Sequence, residues 1–194
     1  MDIVDRKHHF GVALLRIDVG IIFLTARLEK ILGTDGWSAA GFLQYGTAGT
    51  MGWPWVPGGP VEGTAYNPTQ DFWVGLAAND SALSFINFLV PYGQVAIGIS
   101  LILGLLTRFG AAMGTLMMLI FFVAAWDFEF GIVNQHLTYA VVTAFIGYIG
   151  AGHFYGLDPW LEQRVRPAVA RWLCSGGTAE QRTQLGLVGS PLAA

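Results

Sequence analysis

Cysteine occurs once in the 194 residues, at Cys174. A single thiol excludes an internal disulfide framework, a CxxC redox centre and a cysteine-based zinc site, and no metal is expected. Charge is nearly as scarce. Lys+Arg 10 and Asp+Glu 13 make up 12% of the chain, against about 25% in a typical soluble domain. So few charges cannot solvate a globule of this size, and they exclude the disordered and nucleic-acid-binding classes as well. The chain also lacks GxGxxG, P-loop, HExxH and GxSxG motifs, each of which would tie it to a specific chemistry. What it has instead is 54% hydrophobic residues and a mean hydropathy of +0.53. That is the composition of a small integral membrane protein. The net charge of -3 then says little, and the positions of the cations say more.

A hydrocarbon core about 30 Å thick takes roughly 20 mostly apolar residues in a helix. Four stretches approach that length: Phe10 to Leu32, Ser81 to Leu106, Arg108 to Trp126, and the shorter Gln135 to Gly150. Spans two and three are joined only by Thr107 and Arg108, so they form an antiparallel hairpin. Met1 to Lys7 reads as a short tail. A removable signal peptide is not expected, because Arg16 and Asp18 interrupt the first apolar run and no small-residue cleavage site follows. The segment from Gly33 to Asp80 has no Lys or Arg, and neither has the turn from Asp127 to Asn134. Arg6 and Lys7 precede span one, Arg108 lies between spans two and three, and Arg164, Arg166, Arg171 and Arg182 follow span four. By the positive-inside rule the cation-free loops face outward and both termini are cytoplasmic, in the cell (inner) membrane. The expected fold is all-α, an integral membrane four-helix bundle with a long outer loop and a cytoplasmic amphipathic helix. Residues 1–156 form the four-span domain with its outer loop at 33–80, residues 157–174 the interfacial helix, and residues 175–194 a disordered tail.

The outer loop is dense in Gly and Pro between Gly46 and Pro60 and carries Trp53 and Trp55, with Trp37, Trp73 and Trp126 on the same side. It reads either as an ordinary aromatic belt or as a cap lying on the bundle. After span four, Asp158 is an N-cap candidate with Pro159 at the first helical position. Leu161, Val165, Val169 and Trp172 then recur at helical spacing among arginines, which describes an amphipathic helix drawn to anionic lipid, with Pro167 as a bend.

Arg16, Gly20, Phe23, Arg27 and Lys30 share one face of the first helix. A cation inside a span normally faces the bundle interior. Arg27 and Lys30 either do so or snorkel to the headgroups. Arg16 either snorkels or pairs with Asp18 or Glu162. Glu29, Asp127 and Glu129 lie at the outer level with Asn134, Gln135 and His136, so Arg27, Lys30, Asp127, Glu129 and His136 form a candidate polar cluster. Such a cluster either binds a ligand or sets helix register as a structural network that includes Arg16 and Glu29. Gln94 lies one turn after Pro91 in span two, a kinked helix with an amide that needs a partner; this fits a cavity for an amphipathic ligand or an interhelical bond. Asn87 adds a polar group nearer the outside, and Gly110 with Gly114 form a GxxxG. The histidines argue against a haem, because His136 and His153 lie toward opposite faces and His8 and His9 fall in the tail.

The ordered series LLRIDVGIIFLTARLEKILG, GFLQYGTAG, GISLILGLLTRFGAAMGTLMML, NQHLTYAVV and GAGHFYGLDPW resembles the DoxX/DoxD-like membrane proteins, a family that includes the small subunit of thiosulfate:quinone oxidoreductase. The resemblance covers about residues 11–160. It implies a four-helix bundle in which Arg16 and Lys30 hold the basic positions of the first helix, and Asn134 with His136 the polar start of the fourth. Two positions depart from the pattern: Arg27 replaces a common glycine, and Gln94 replaces a common glutamate. A neutral amide binds a quinone carbonyl but does not accept a proton. The expected function is therefore a quinone-associated subunit of a membrane oxidoreductase without its own redox centre. Quinone would sit near Gln94, and Arg27, Lys30, Asn134 and His136 would bind its oxygens or a small anion; no catalytic residue is assigned. The alternative is a non-catalytic structural subunit of a larger respiratory or photosynthetic complex. Either reading implies other membrane subunits and the lipid bilayer as partners.

Overall fold

The computed structural model describes residues 3–32, 37–47, 67–125 and 133–174, with the side chains of 3–6, 27–32, 167–168 and 171 outside that description. Among the described residues all the regular structure is helical and there is no strand. In order come α1 (Ile3–Leu32), a π-helical turn at Phe42–Gly46, α2 (Gln70–Ala78), α3 (Asp80–Leu103), α4 (Thr107–Ala125), α5 (Gln135–Tyr148), a three-ten turn at Ala151–His153, α6 (Asp158–Glu162) and α7 (Pro167–Leu173). Three segments are long and apolar enough to cross a membrane: Lys7–Ala26, Asp80–Leu103 and Thr107–Ala125. Phe10, Leu14, Phe85, Phe88, Phe109 and Leu116 are exposed along them. In water such a surface would be an association hazard, whereas it suits a hydrocarbon surround. The expected fourth span corresponds to α5, whose 14 residues reach about 21 Å at 1.5 Å per residue.

Two compact units make up the chain. The first contains Met1–Leu24, Ala96–Met113 and Thr143–Ala194. In it α1 and α3 touch backbone to backbone at Gly20 and Gly98. A Cβ on Gly98 would lie 2.8 Å from the Gly20 carbonyl oxygen and 2.9 Å from Leu24 N, so only glycine permits the approach. The α3–α4 connection falls at Gly104–Leu106 rather than at Thr107 and Arg108, which are the first residues of α4. Gly104 (φ 62) and Leu106 (φ 54) both take left-handed conformations, reversing the chain within three residues. Ser100 stabilises the reversal by donating its hydroxyl to Leu105 O at 2.7 Å.

The segment that follows α5 docks on this reversal. Gly150 (φ 65) stops α5. Leu157 N–H then donates to Leu103 O (3.1 Å) and Gly104 O (2.9 Å), and Asp158 N–H donates to Gly104 O (2.8 Å). The expected single interfacial helix over 157–174 is two short helices. The break precedes Pro167, whose ring disfavours helical geometry at the residue before it; Arg166 accordingly has φ -58 and ψ 139.

The second unit contains Thr25–Val95 and Gly114–Val142. Here the described parts of the long loop fold into a small core of Ala39, Leu43 and Ala77, with Trp37, Trp73, Leu76, Leu83 and Ile86 packed around it. Trp37 and Trp73 are thus engaged in packing; Trp53, Trp55 and Trp126 lie outside the described residues. Asn87 Oδ1 accepts the Ala39 N–H at 2.8 Å, tying the loop to α3. Buried Asn67 donates its amide to Thr47 O (2.9 Å) and Ala124 O (3.0 Å), which ties the loop to the end of α4. The expected tail at 175–194 lies outside the described residues.

Candidate functional site

The principal polar cluster lies within the first unit, at the α3–α4 reversal. Arg16, on the third turn of the apolar part of α1, is 0% exposed, and so is Asp158 at the start of α6. The Asp158 carboxylate acts on the Arg16 guanidinium through space. One guanidinium nitrogen, Nη2, donates a long hydrogen bond of 3.4 Å to Tyr155 O, while Nε and Nη1 are buried without a hydrogen-bond partner. Packing is dense around it: a Cβ on Gly104 would collide with Nη1 and lie 2.6 Å from Cζ, and one on Gly156 would also collide with Nη1. One on Gly152 would overlap Asp158 Oδ2 and Thr107 Oγ1. Three glycines therefore bring the backbone up against Arg16 and Asp158.

Asp158 is the first residue of α6 rather than its N-cap, a position that Leu157 holds. Its oxygens instead face the α4 start, 3.4 and 3.3 Å from the Thr107 N–H, and the Cys174 thiol donates to it. Burial pushes the Asp158 carboxyl up to about 6, against the opposing pull of the Thr107 donors, His153 and Cys174. Loss of hydration outweighs these partners, as is common for a charge taken out of water. The Cys174 thiol is pushed up to about 12, first by burial and then by the carboxylate beside it. It is an inert buried thiol rather than a nucleophile.

Next to this pair His153 Nε2 lies 3.0 Å from Glu162 Oε1, and His153 Nδ1 lies 3.2 Å from Gly150 O. Both ring nitrogens face oxygen acceptors. A neutral imidazole has one N–H, so both contacts are hydrogen bonds only when the pair holds one proton more than a neutral histidine and a carboxylate together. Arg16 thus faces inward as its cost in lipid demands, but its counter-charge is Asp158. Asp18 is exposed, and Glu162 is engaged by His153.

The second unit holds the residues proposed from sequence for a ligand. Gln94 is buried at 3% exposure, one turn after Pro91 inside α3. Asn134 Oδ1 accepts the Leu137 N–H at 3.0 Å and so caps α5. His136 is half-buried, its ring edge-on to Phe121 at 6.1 Å. Arg27, Glu29 and Lys30 belong to α1, but their side chains lie outside the described set; Asp127 and Glu129 lie outside the described residues altogether. Among the described residues no group of His, Cys, Asp and Glu could hold a metal ion. No family profile, no characterised protein and no solved structure matches the chain.

Proposed function

We propose that this protein is the quinone-associated membrane subunit of an oxidoreductase, of the kind that serves thiosulfate:quinone oxidation. It would be arranged as a four-helix bundle in the inner membrane with both termini cytoplasmic. The observation that carries the reading is the Gln94 amide, buried in a proline-containing apolar helix, together with the motif series that resembles the DoxX/DoxD-like family. An amide offers a donor and an acceptor at mid-span depth, where each polar group must be matched. A bound quinone supplies two-electron acceptor chemistry that no side chain here provides. Gln94 orients a carbonyl of the ring, Arg27 and Lys30 supply positive charge toward the quinone oxygens or a small sulfur oxyanion, and Asn134 and His136 complete the polar end. Electrons arrive from a partner subunit.

Quinone content of the purified protein and thiosulfate-dependent quinone reduction in native membranes test this. Gln94→Leu and the Arg27→Ala, Lys30→Ala pair should each lower reduction about tenfold or more, the loss of one or two oriented polar contacts. Quinone-free protein together with undiminished turnover in the variants overturns the proposal.

A second reading, a non-catalytic subunit of a larger respiratory or photosynthetic complex, draws on the structural engagement of Asn134 as a cap and of His136 against Phe121. Mild-detergent purification separates the two: a lone monomer without partners contradicts the structural-subunit reading.

A further inference from the structure

The segment from Gly150 to Cys174 contains two acids, Asp158 and Glu162, and the arginines Arg164, Arg166 and Arg171. Folding sorts them by sign. Asp158 is fully buried, and Glu162 is turned onto His153 with 14% of its side chain exposed. Arg164 and Arg166 remain exposed. Trp160 (52%) and Trp172 (79%) are exposed as well. Arg164 Cζ sits over the Trp160 ring, 3.9 Å from its centroid, and Nη1 donates to Trp160 O at 3.1 Å. The ring contact and the hydrogen bond hold the guanidinium in place and leave its other nitrogens for an oxyanion. The start of α1 adds exposed Lys7 to this end of the unit, because the His9 ring packs on Phe154 at 4.6 Å.

The depth of this face is set by hydrogen bonds. Leu157 and Asp158 bond to the carbonyls of Leu103 and Gly104, where the apolar segments Asp80–Leu103 and Thr107–Ala125 meet. A hairpin of two spanning helices must turn at the membrane face. Its turn therefore holds α6 at headgroup level, the depth suited to indole rings and arginine.

We propose that the exposed Trp160, Arg164 and Arg166 form a binding surface for anionic phospholipid headgroups of the leaflet at which α3 and α4 turn. Charge complementarity selects the occupant: the acids are withdrawn, the arginines are presented, and a phosphodiester at that depth is the anion within reach. This rests on residues apart from Gln94 and stands or falls separately from the quinone reading.

The test uses the full chain in nanodiscs of equal phosphatidylglycerol and phosphatidylcholine, re-extracted in mild detergent with quantification of the retained lipid. Phosphatidylglycerol should be enriched. Arg164→Gln and Arg166→Gln should each lower the enrichment about fivefold, the equivalent of the ~1 kcal/mol that a surface arginine contributes beside an anionic leaflet. Trp160→Leu, which removes the ring contact but no charge, should weaken it less. Both arginines are exposed, and circular dichroism of each variant checks that it is folded. Equal retention of the two lipids, undiminished enrichment in the folded double variant, or displacement by millimolar inorganic phosphate as a free-anion site would overturn the proposal.

Discussion

Replacing Gly98 by alanine adds one methyl group, and the structure sets the sign of the result. The added Cβ would lie 2.8 Å from Gly20 O and 2.9 Å from Leu24 N, where ordinary contact begins at 3.4 Å. Both obstacles are backbone, so no side chain can rotate away and α1 must move off α3 by about half an ångström, forfeiting much of the dispersion attraction along the contact. Overpacking of this kind costs about 1–3 kcal/mol. Alanine returns up to about 1 kcal/mol in helix propensity, so the net loss is about 1–2 kcal/mol. At about 2–4 °C per kcal/mol for a chain of this size, the midpoint of thermal unfolding, followed by circular dichroism in detergent, should fall by roughly 2–8 °C. Gly20→Ala meets Ile102 N at 2.9 Å and Gly98 O at 3.0 Å and should behave alike. The double variant should lose at least ~0.5 kcal/mol less than the sum, because one separation of the helices relieves both clashes. Gly75→Ala in α2, with nothing within 4 Å of the new Cβ, should raise the midpoint. If Gly98→Ala raises it too, the backbone contact between α1 and α3 is refuted.

The Asp158 carboxyl rises from 3.8 to about 6 on folding, so between these values the folded chain holds a proton that the unfolded chain releases. Its contribution to stability is full below the unfolded value and is lost as pH rises through about 6. Midpoints measured across that interval should show a downward slope in the wild type that Asp158→Asn removes; an unchanged slope in the variant refutes the assignment. Asn67→Ala leaves the carbonyls of Thr47 and Ala124 without their donor. It should cost about 2–3 kcal/mol and speed amide exchange in α2 at least tenfold, and unaltered exchange would show that Asn67 does not hold the loop.

Hydropathy and charge spacing placed three membrane-crossing segments within a few residues, because a run of apolar side chains is a local property. The ends were less legible. α1 starts at Ile3, inside the expected tail, and the α3–α4 reversal depends on a left-handed Leu106 that no propensity favours. The inward orientation of Arg16 was legible from the cost of a cation in lipid. Its counter-charge was not, because local pattern makes Asp158 a cap and only tertiary docking turns it toward Thr107 and Arg16. Gly104, Gly152 and Gly156, three of 26 glycines, gave no sign of a shared role. Asn134 and His136 were recognised as polar residues at a helix start, but the contact of His136 with Phe121 arises only when α5 packs on α4.

The docking of Tyr155 to Asp158 on the α3–α4 reversal also bears on biogenesis. Arg16 enters the translocation machinery early, and the Tyr155 carbonyl that it bonds follows 139 residues later. At about 5–20 residues per second of synthesis, roughly 7–30 s pass before the last segment emerges. During that interval the first helix carries an uncompensated cation, and helix pairing across Gly20 and Gly98 can form while the buried charge pair cannot. Closure of the first unit therefore waits for synthesis of the Tyr155 to Asp158 segment. A truncation that stops short of Asp158 leaves Arg16 without its counter-charge, so the first helix depends for its neutralisation on a segment made long after it.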